Sequence, residues 1–341
     1  SPAGRKVIDN ALRDFRLSGI DLPESEQARF SELAREISGL NSVFNNNVLD
    51  ATQAWQKLIT EESDLPGVPH NALVSMHQNA VDKGLQGYLL TLDAPCYLAI
   101  MTHCDDRTLR HELYTAFGTR ASNFGPNAGE FDNSDVMHAL LSARLEQAKL
   151  LGFKNYAELS VARKMARSAE EVLGFLNNLA EKSRPFARND FETLVSFADK
   201  NGGPEDLKPW DVPYHAEKLK KASFDISEEE LRPYFPAPTV LKGMFEVVRR
   251  LFDIEVVPCD GMSVWHQDVL TYEIRKDGVS IARFYFDLYA RASKRGGAWM
   301  DDCRVRRVDA SGSLQLPVAY LTCNFGGPLG DDPALLSHNE V

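Results

Sequence analysis

No stretch of about 20 apolar residues, the length a membrane-crossing helix needs, occurs among the 341 residues. Blocks of lysine and arginine are missing too, and the formal charge is −11 with a pI near 5.3. Nucleic-acid binding rests on clustered cations that neutralise phosphates, so a nucleic-acid partner is not expected. The first residues, Ser1-Pro2-Ala3-Gly4-Arg5, lead into an amphipathic helix without the apolar core of a signal peptide. Asn-x-Ser/Thr acceptors are absent. The five cysteines, Cys96, Cys104, Cys259, Cys303 and Cys323, form an odd, scattered set lying mostly in apolar runs. That argues for reduced, packed thiols in a cytoplasmic protein rather than a disulfide framework.

Catalytic signatures are equally scarce. A zinc helix of the His-Glu-x-x-His type places two imidazoles one turn apart on one face. The nearest match, His111-Glu112-Leu113-Tyr114-Thr115, ends in threonine and fails. His103-Cys104-Asp105-Asp106 is rich in ligand atoms, but neighbours at a helix start do not converge on one ion, and a solvated cap is expected there. His70, His77, His138, His215, His266 and His338 are isolated from one another. No Gly-x-Ser-x-Gly elbow, Cys-x-x-Cys pair, Walker loop or dinucleotide fingerprint occurs. Gly326-Gly327-Pro328-Leu329-Gly330 has glycines, but Pro328 and the acidic Asp331-Asp332 argue against a phosphate cradle.

What is present is helix, up to about residue 253. Arg5 to Leu17 reads as a first helix, ended by Ser18-Gly19. A longer one covers Glu24 to Leu49, with Phe30, Leu33, Ile37, Leu40, Phe44 and Val48 forming one apolar stripe. Ala54 to Thr60 and Gly87 to Leu92 are candidate strands of a small ribbon around a helix near Asn71 to Asp82. Further helices are expected from Asp105-Asp106 to about Ser122, from Ser134 to Leu151, and from a capping box at Ser168-Ala169-Glu170-Glu171 until Pro185 breaks or kinks it. Asn201-Gly202-Gly203-Pro204 reads as a linker. Pro213 to Ala222, a box at Ser227-Glu228-Glu229-Glu230, and Thr239 to Phe252 complete the helical part.

Near Ile254 the pattern changes. Leu270 to Lys276 and Val279 to Asp287 flank Asp277-Gly278, a two-residue hairpin signal. The second arm becomes apolar on both faces, as in a strand inside a sheet covered by helices. With Leu316 to Phe325 this predicts three or four mainly antiparallel strands, so the fold class is α+β, predominantly α-helical. Gly296-Gly297-Ala298-Trp299 offers a different chemistry. On a sheet edge it presents unpaired N–H and C=O groups to an extended peptide; the same glycines also fit a bulge or a loop after the hairpin. Ser337-His338-Asn339-Glu340 has capping-box spacing, which fits either a helix start or a frayed terminus.

The wording of several stretches resembles the thimet oligopeptidase family of zinc metallopeptidases. They include Ala11-Leu12-Arg13-Asp14-Phe15-Arg16-Leu17-Ser18-Gly19, Phe286-Asp287-Leu288-Tyr289-Ala290-Arg291, Lys294-Arg295-Gly296-Gly297-Ala298-Trp299-Met300-Asp301-Asp302 and Pro317-Val318-Ala319-Tyr320-Leu321-Thr322-Cys323-Asn324-Phe325. The resemblance implies a two-lobed helical zincin-type metalloendopeptidase. In it, 1–253 forms a channel wall and 254–341 the sheet-containing part of the catalytic region. It implies Zn²⁺ held by two histidines and a glutamate, with a metal-bound water as nucleophile and a glutamate as general base. Ser337 to Val341 matches the first turn of the zinc helix, so catalytic and metal residues are expected after Val341, none lies before it, and this segment alone is expected to be inactive. Substrate-binding residues are Gly296, Gly297, Ala298 and Trp299. The implied partners are short unstructured peptides, with no nucleic acid or membrane, and a monomer is expected. A non-catalytic helical scaffold or peptide-binding module is the alternative, and a peptidyl-dipeptidase is a variant within the family.

Overall fold

The computed structural model describes residues 1–292, 294–328, 330 and 333–341, with Glu228 described by its backbone alone. Leu329 and the acidic pair Asp331-Asp332 lie outside the described residues. The helices, in order, are α1 (Pro2–Leu17), α2 (Glu24–Ala54), α3 (His70–Asp82), α4 (Ala94–His103), α5 (Arg107–Gly118), α6 (Ser134–Leu150), α7 (Tyr156–Val161), α8 (Ala169–Lys200), α9 (Val212–Phe224), α10 (Glu228–Leu231) and α11 (Ala237–Phe252). The strands are β1 (Gln56–Ile59), β2 (Tyr88–Thr91), β3 (Glu255–Pro258), β4 (Leu270–Lys276), β5 (Val279–Tyr289), β6 (Trp299–Arg304), β7 (Arg307–Val308), β8 (Leu314–Gln315) and β9 (Val318–Phe325). The class is α+β and mostly helical. No described helix is long and apolar enough to cross a membrane.

The chain divides into two compact units, 1–51 with 118–204, and 52–117 with 205–341. In the first, the α2 stripe is the protected face: Leu33 is buried and Phe30, Ile37, Leu40, Phe44 and Val48 are half-buried. Gly19 ends α1 at φ +83, and a Cβ there would meet the Phe30 ring at 2.7 Å, so only glycine fits. Arg29 ties α2 to α6 through two bonds of 2.6 Å to Glu146. The Ser168 hydroxyl accepts from the Glu171 N–H at 3.2 Å, as the box predicts. Pro185, however, does not end α8. It removes only the bond to Glu181, an exposed residue whose carbonyl water can solvate.

In the second unit the expected ribbon forms, with Gln56 opposite Thr91 and Ile59 opposite Tyr88. It joins a core of Trp55, Leu65, Met76, Leu90, Ile100 and Leu113. The helix α4 was not anticipated, because its nearly uniform apolar run Ala94–Met101 carries no helical periodicity. The main sheet has five strands in the order β3-β4-β5-β9-β6, and β5 pairs with β9 in parallel. The sheet has one strand more than the expected three or four; it is mainly antiparallel as expected, with β3-β4, β4-β5 and β9-β6 antiparallel and β5-β9 the exception. Residues 290–317, which include β6, β7 and β8, separate β5 from β9, enough chain to return it in the same direction. Asp277 and Gly278 take φ +52 and +75, the geometry that closes a tight hairpin.

Candidate functional site

The central strand β5 positions the region of interest. On one face Phe284, Phe286 and Leu288 are buried with Cys323, against Leu241 and Phe245 of α11. On the other, Tyr285 stacks on Tyr320 at 5.3 Å, and Trp265 packs over both, at 5.2 and 5.6 Å. This alternation explains why the strand looked apolar on both sides. It also buries one charge, Asp287, which is 3 % exposed.

Asp287 is fully engaged. Arg291 donates to both its oxygens at 2.6 and 2.7 Å, Lys294 Nζ at 2.9 Å, and Trp265 Nε1 at 2.9 Å. Burial alone would raise its pKa, but the bonds from Arg291, Lys294 and Trp265 hold the carboxyl well below the usual range. Lys294 also donates to the Asp287 and Tyr289 carbonyls at 3.0 and 2.7 Å. A buried pair of this kind survives only when its remaining polar valences are satisfied, as they are here.

The chain then bends at Gly296-Gly297 and enters β6 at Trp299. Among the described residues β6 pairs only with β9, Trp299 facing Thr322 and Asp301 facing Tyr320. Its other edge is open and every residue of it is exposed. Nothing lies within 4 Å of where a Cβ would sit on Gly296 or Gly297, and Gly297 has φ +99. The glycines therefore do two different things: Gly297 supplies a left-handed bend, while Gly296 leaves open space. An open strand edge preceded by uncrowded backbone can take an added strand.

A second polar cluster was not legible in the sequence. Asp211 is completely buried and is gripped by Arg107 Nη2 at 2.8 Å and Arg110 Nη2 at 3.0 Å. Arg110 stacks over the Tyr214 ring at 4.0 Å, and Tyr214 donates to Asp105 at 2.5 Å. His215 is buried beside this network, and burial lowers its pKa despite the Asp211 charge. Only the i, i+3 spacing of Arg107 and Arg110 hinted at a shared face. Asp105 and Lys218 also face a cavity of about 710 Å³, lined further by Gly67, His70, His103 and Arg232.

The side chains of the ligand-rich stretches go to separate partners. Asp106 caps α5, accepting from the Thr108 and Leu109 N–H groups at 2.8 and 3.2 Å, while Asp105 turns to Tyr214. His111 lies on Trp210 at 4.0 Å and Glu112 bonds Lys57 at 2.5 Å. His103 is 4.0 Å from Glu229, whose carboxylate Arg232 holds at 2.8 Å. A catalytic zinc needs three convergent ligands and an open position, and no such group of His, Cys, Asp or Glu occurs among the described residues. The residues present do not fit that metal. The Ser337 box is half formed: Glu340 reaches back to the Ser337 N–H at 2.7 Å, but the Ser337 hydroxyl donates to Glu340 at 2.9 Å instead of accepting. Of the thiols, Cys96, Cys104 and Cys323 are buried, and Cys303 on β6 is exposed.

The site thus consists of a small mixed sheet with an exposed edge strand in a mostly helical protein, and comparison with known proteins gives the class. Residues 100–341 match the family model described as Peptidase family M3. The chain belongs to that family. It is 50 % identical over 342 residues to oligopeptidase A of Haemophilus influenzae, covering 100 % of this chain and 50 % of that protein. Against oligopeptidase A of Escherichia coli it is 50 % identical over 340 residues, 99 % of this chain and 50 % of the other. The dipeptidyl carboxypeptidase of Escherichia coli is 32 % identical, over 98 % of this chain and 49 % of that protein. The chain thus spans about half the length of the curated relatives it matches.

Proposed function

We propose that the complete protein is a zinc-dependent metalloendopeptidase acting on short, unstructured peptides, and that this chain supplies the edge on which they lie. A peptide adds to the open side of β6, passing Gly296, Gly297, Ala298 and Trp299. The observation that carries this reading is the exposed, one-sidedly paired β6, which begins one residue after two uncrowded glycines. Family membership and the relatives' names support the peptidase part. The helical region 1–253 forms a channel wall and 254–341 the sheet beneath the reaction site. The zinc ligands follow Val341, and this chain contributes binding, orientation and exclusion of water. The protein works in the cytoplasm as a monomer.

Gly296 gives the cleanest test. Its backbone lies outside the left-handed region and a Cβ there meets nothing within 4 Å, so Gly296→Val is expected to leave the fold and the zinc content of the complete protein intact. Turnover of a quenched fluorescent peptide is expected to fall, with chelator abolishing the remainder and zinc restoring it. The 341-residue chain alone is expected to be inactive. Unchanged kinetics in Gly296→Val would remove the bend from the peptide path, and chelator-sensitive turnover by the isolated chain would relocate the metal site.

A further inference from the structure

The ladder between β6 and β9 ends at Trp299 opposite Thr322. Continuing the register by two residues puts Gly297 opposite Asn324, and there a side chain takes over from the backbone. Asn324 Nδ2 donates to the Gly297 carbonyl at 2.6 Å and to the Arg295 carbonyl at 2.9 Å. Both carbonyls are thereby held toward β9, while the outward side of Gly296 and Gly297 stays empty. Below, Lys294 pins the start of the same segment to the Asp287 and Tyr289 carbonyls. Two adjacent glycines without such ties would sample many backbone states, and a peptide would have to order them on binding.

We propose that Asn324 is a positioning residue for the peptide-binding edge: its amide locks the Gly296-Gly297 bend against β9 and so extends the usable edge of β6 upstream of Trp299. This rests on the reading of β6 as the peptide edge. Asn324 touches no peptide itself. It removes the ordering penalty that two free glycines would impose, so its loss acts on binding and leaves the reacting groups alone. In kinetic terms KM rises while kcat is kept, the pattern of binding lost equally from ground state and transition state.

The test uses the complete, zinc-loaded protein with three variants. Asn324→Ala removes both bonds, Asn324→Asp points a carboxylate at two carbonyl oxygens, and Asn324→Gln returns the donor one methylene farther out. Without peptide, amide exchange over residues 295–299 is expected to quicken by about tenfold in Asn324→Ala and more in Asn324→Asp. Asn324→Gln is expected to recover part of the protection. KM for a quenched fluorescent peptide should rise in the same order, with kcat and zinc content unchanged. Unaltered exchange in both Ala and Asp variants would overturn the positioning role. Quickened exchange with unaltered KM would instead overturn β6 as the peptide edge, and the proposal with it. Should Asn324→Asp lose zinc, Asn324→Ala carries the same two readouts.

Discussion

The main sheet has two edges, and they are built differently. Edge strand β3 is four residues long, half-buried at Val256 and Val257, packed with α11 through Val256, and closed by Pro258, which has no N–H to offer. At the other edge, β6 is exposed throughout, contains no proline, and is approached through open glycine backbone. Natural proteins blunt edges they do not use. One edge here is blunted and the other is left open. The open one is also anchored, since the buried side chains of Asp287 and Lys294 are bonded to each other and Asp287 to Arg291 and Trp265 at its approach.

Breaking that anchor should have the largest effect. Asp287→Ala leaves the Lys294 amine, whose side chain is 5 % exposed, without its carboxylate. Removing one partner of such a buried pair costs about 3–5 kcal/mol, readable as a drop in the denaturation midpoint. Acid tests the same anchor from solution. The Asp287 carboxyl is depressed in the fold, so its contribution is complete above the ordinary aspartate value of about 3.9 and is lost as pH falls below it. His215, kept neutral by burial, adds an earlier loss that begins as pH drops through about 6.5, where the unfolded chain takes up a proton. Stability should therefore decline in two stages on acidification, and Asp287→Asn should flatten the lower one. At the blunted edge, Val256→Ala removes a half-buried contact with α11 and should cost about 1 kcal/mol. Asp302→Ala on β6, an exposed side chain, should shift stability by less than about 0.5 kcal/mol. A larger loss there would mean that β6 is packed against something and is not an open edge.

The exposed edge at residues 296–299 was singled out in the residues but the strand β3 was not, and what was legible elsewhere differs by element. The Asp277-Gly278 hairpin was legible because its turn geometry depends on two adjacent residues. The α2 stripe was legible because helical periodicity is local. The parallel pairing of β5 with β9 was not, because it is set by a crossover and not by either strand's own pattern. Asp211 went unnoticed for the same reason: its guanidinium partners are 104 and 101 residues away. The Gly296-Gly297 bend was singled out, but its division of labour required the measured φ at Gly297 and the empty space at Gly296. No residue before Val341 was expected to bind metal, because the spacing fails at residues 111–115 and because the resemblance puts the ligands later.

The most direct test compares the two edges in one experiment, hydrogen exchange of the complete protein with and without a peptide that it binds but does not cleave. Slowed exchange along Trp299–Arg304, with Glu255–Pro258 unchanged, is the predicted result. Protection at β3 alone, or at neither edge, would contradict the assignment of β6 as the strand that receives the substrate.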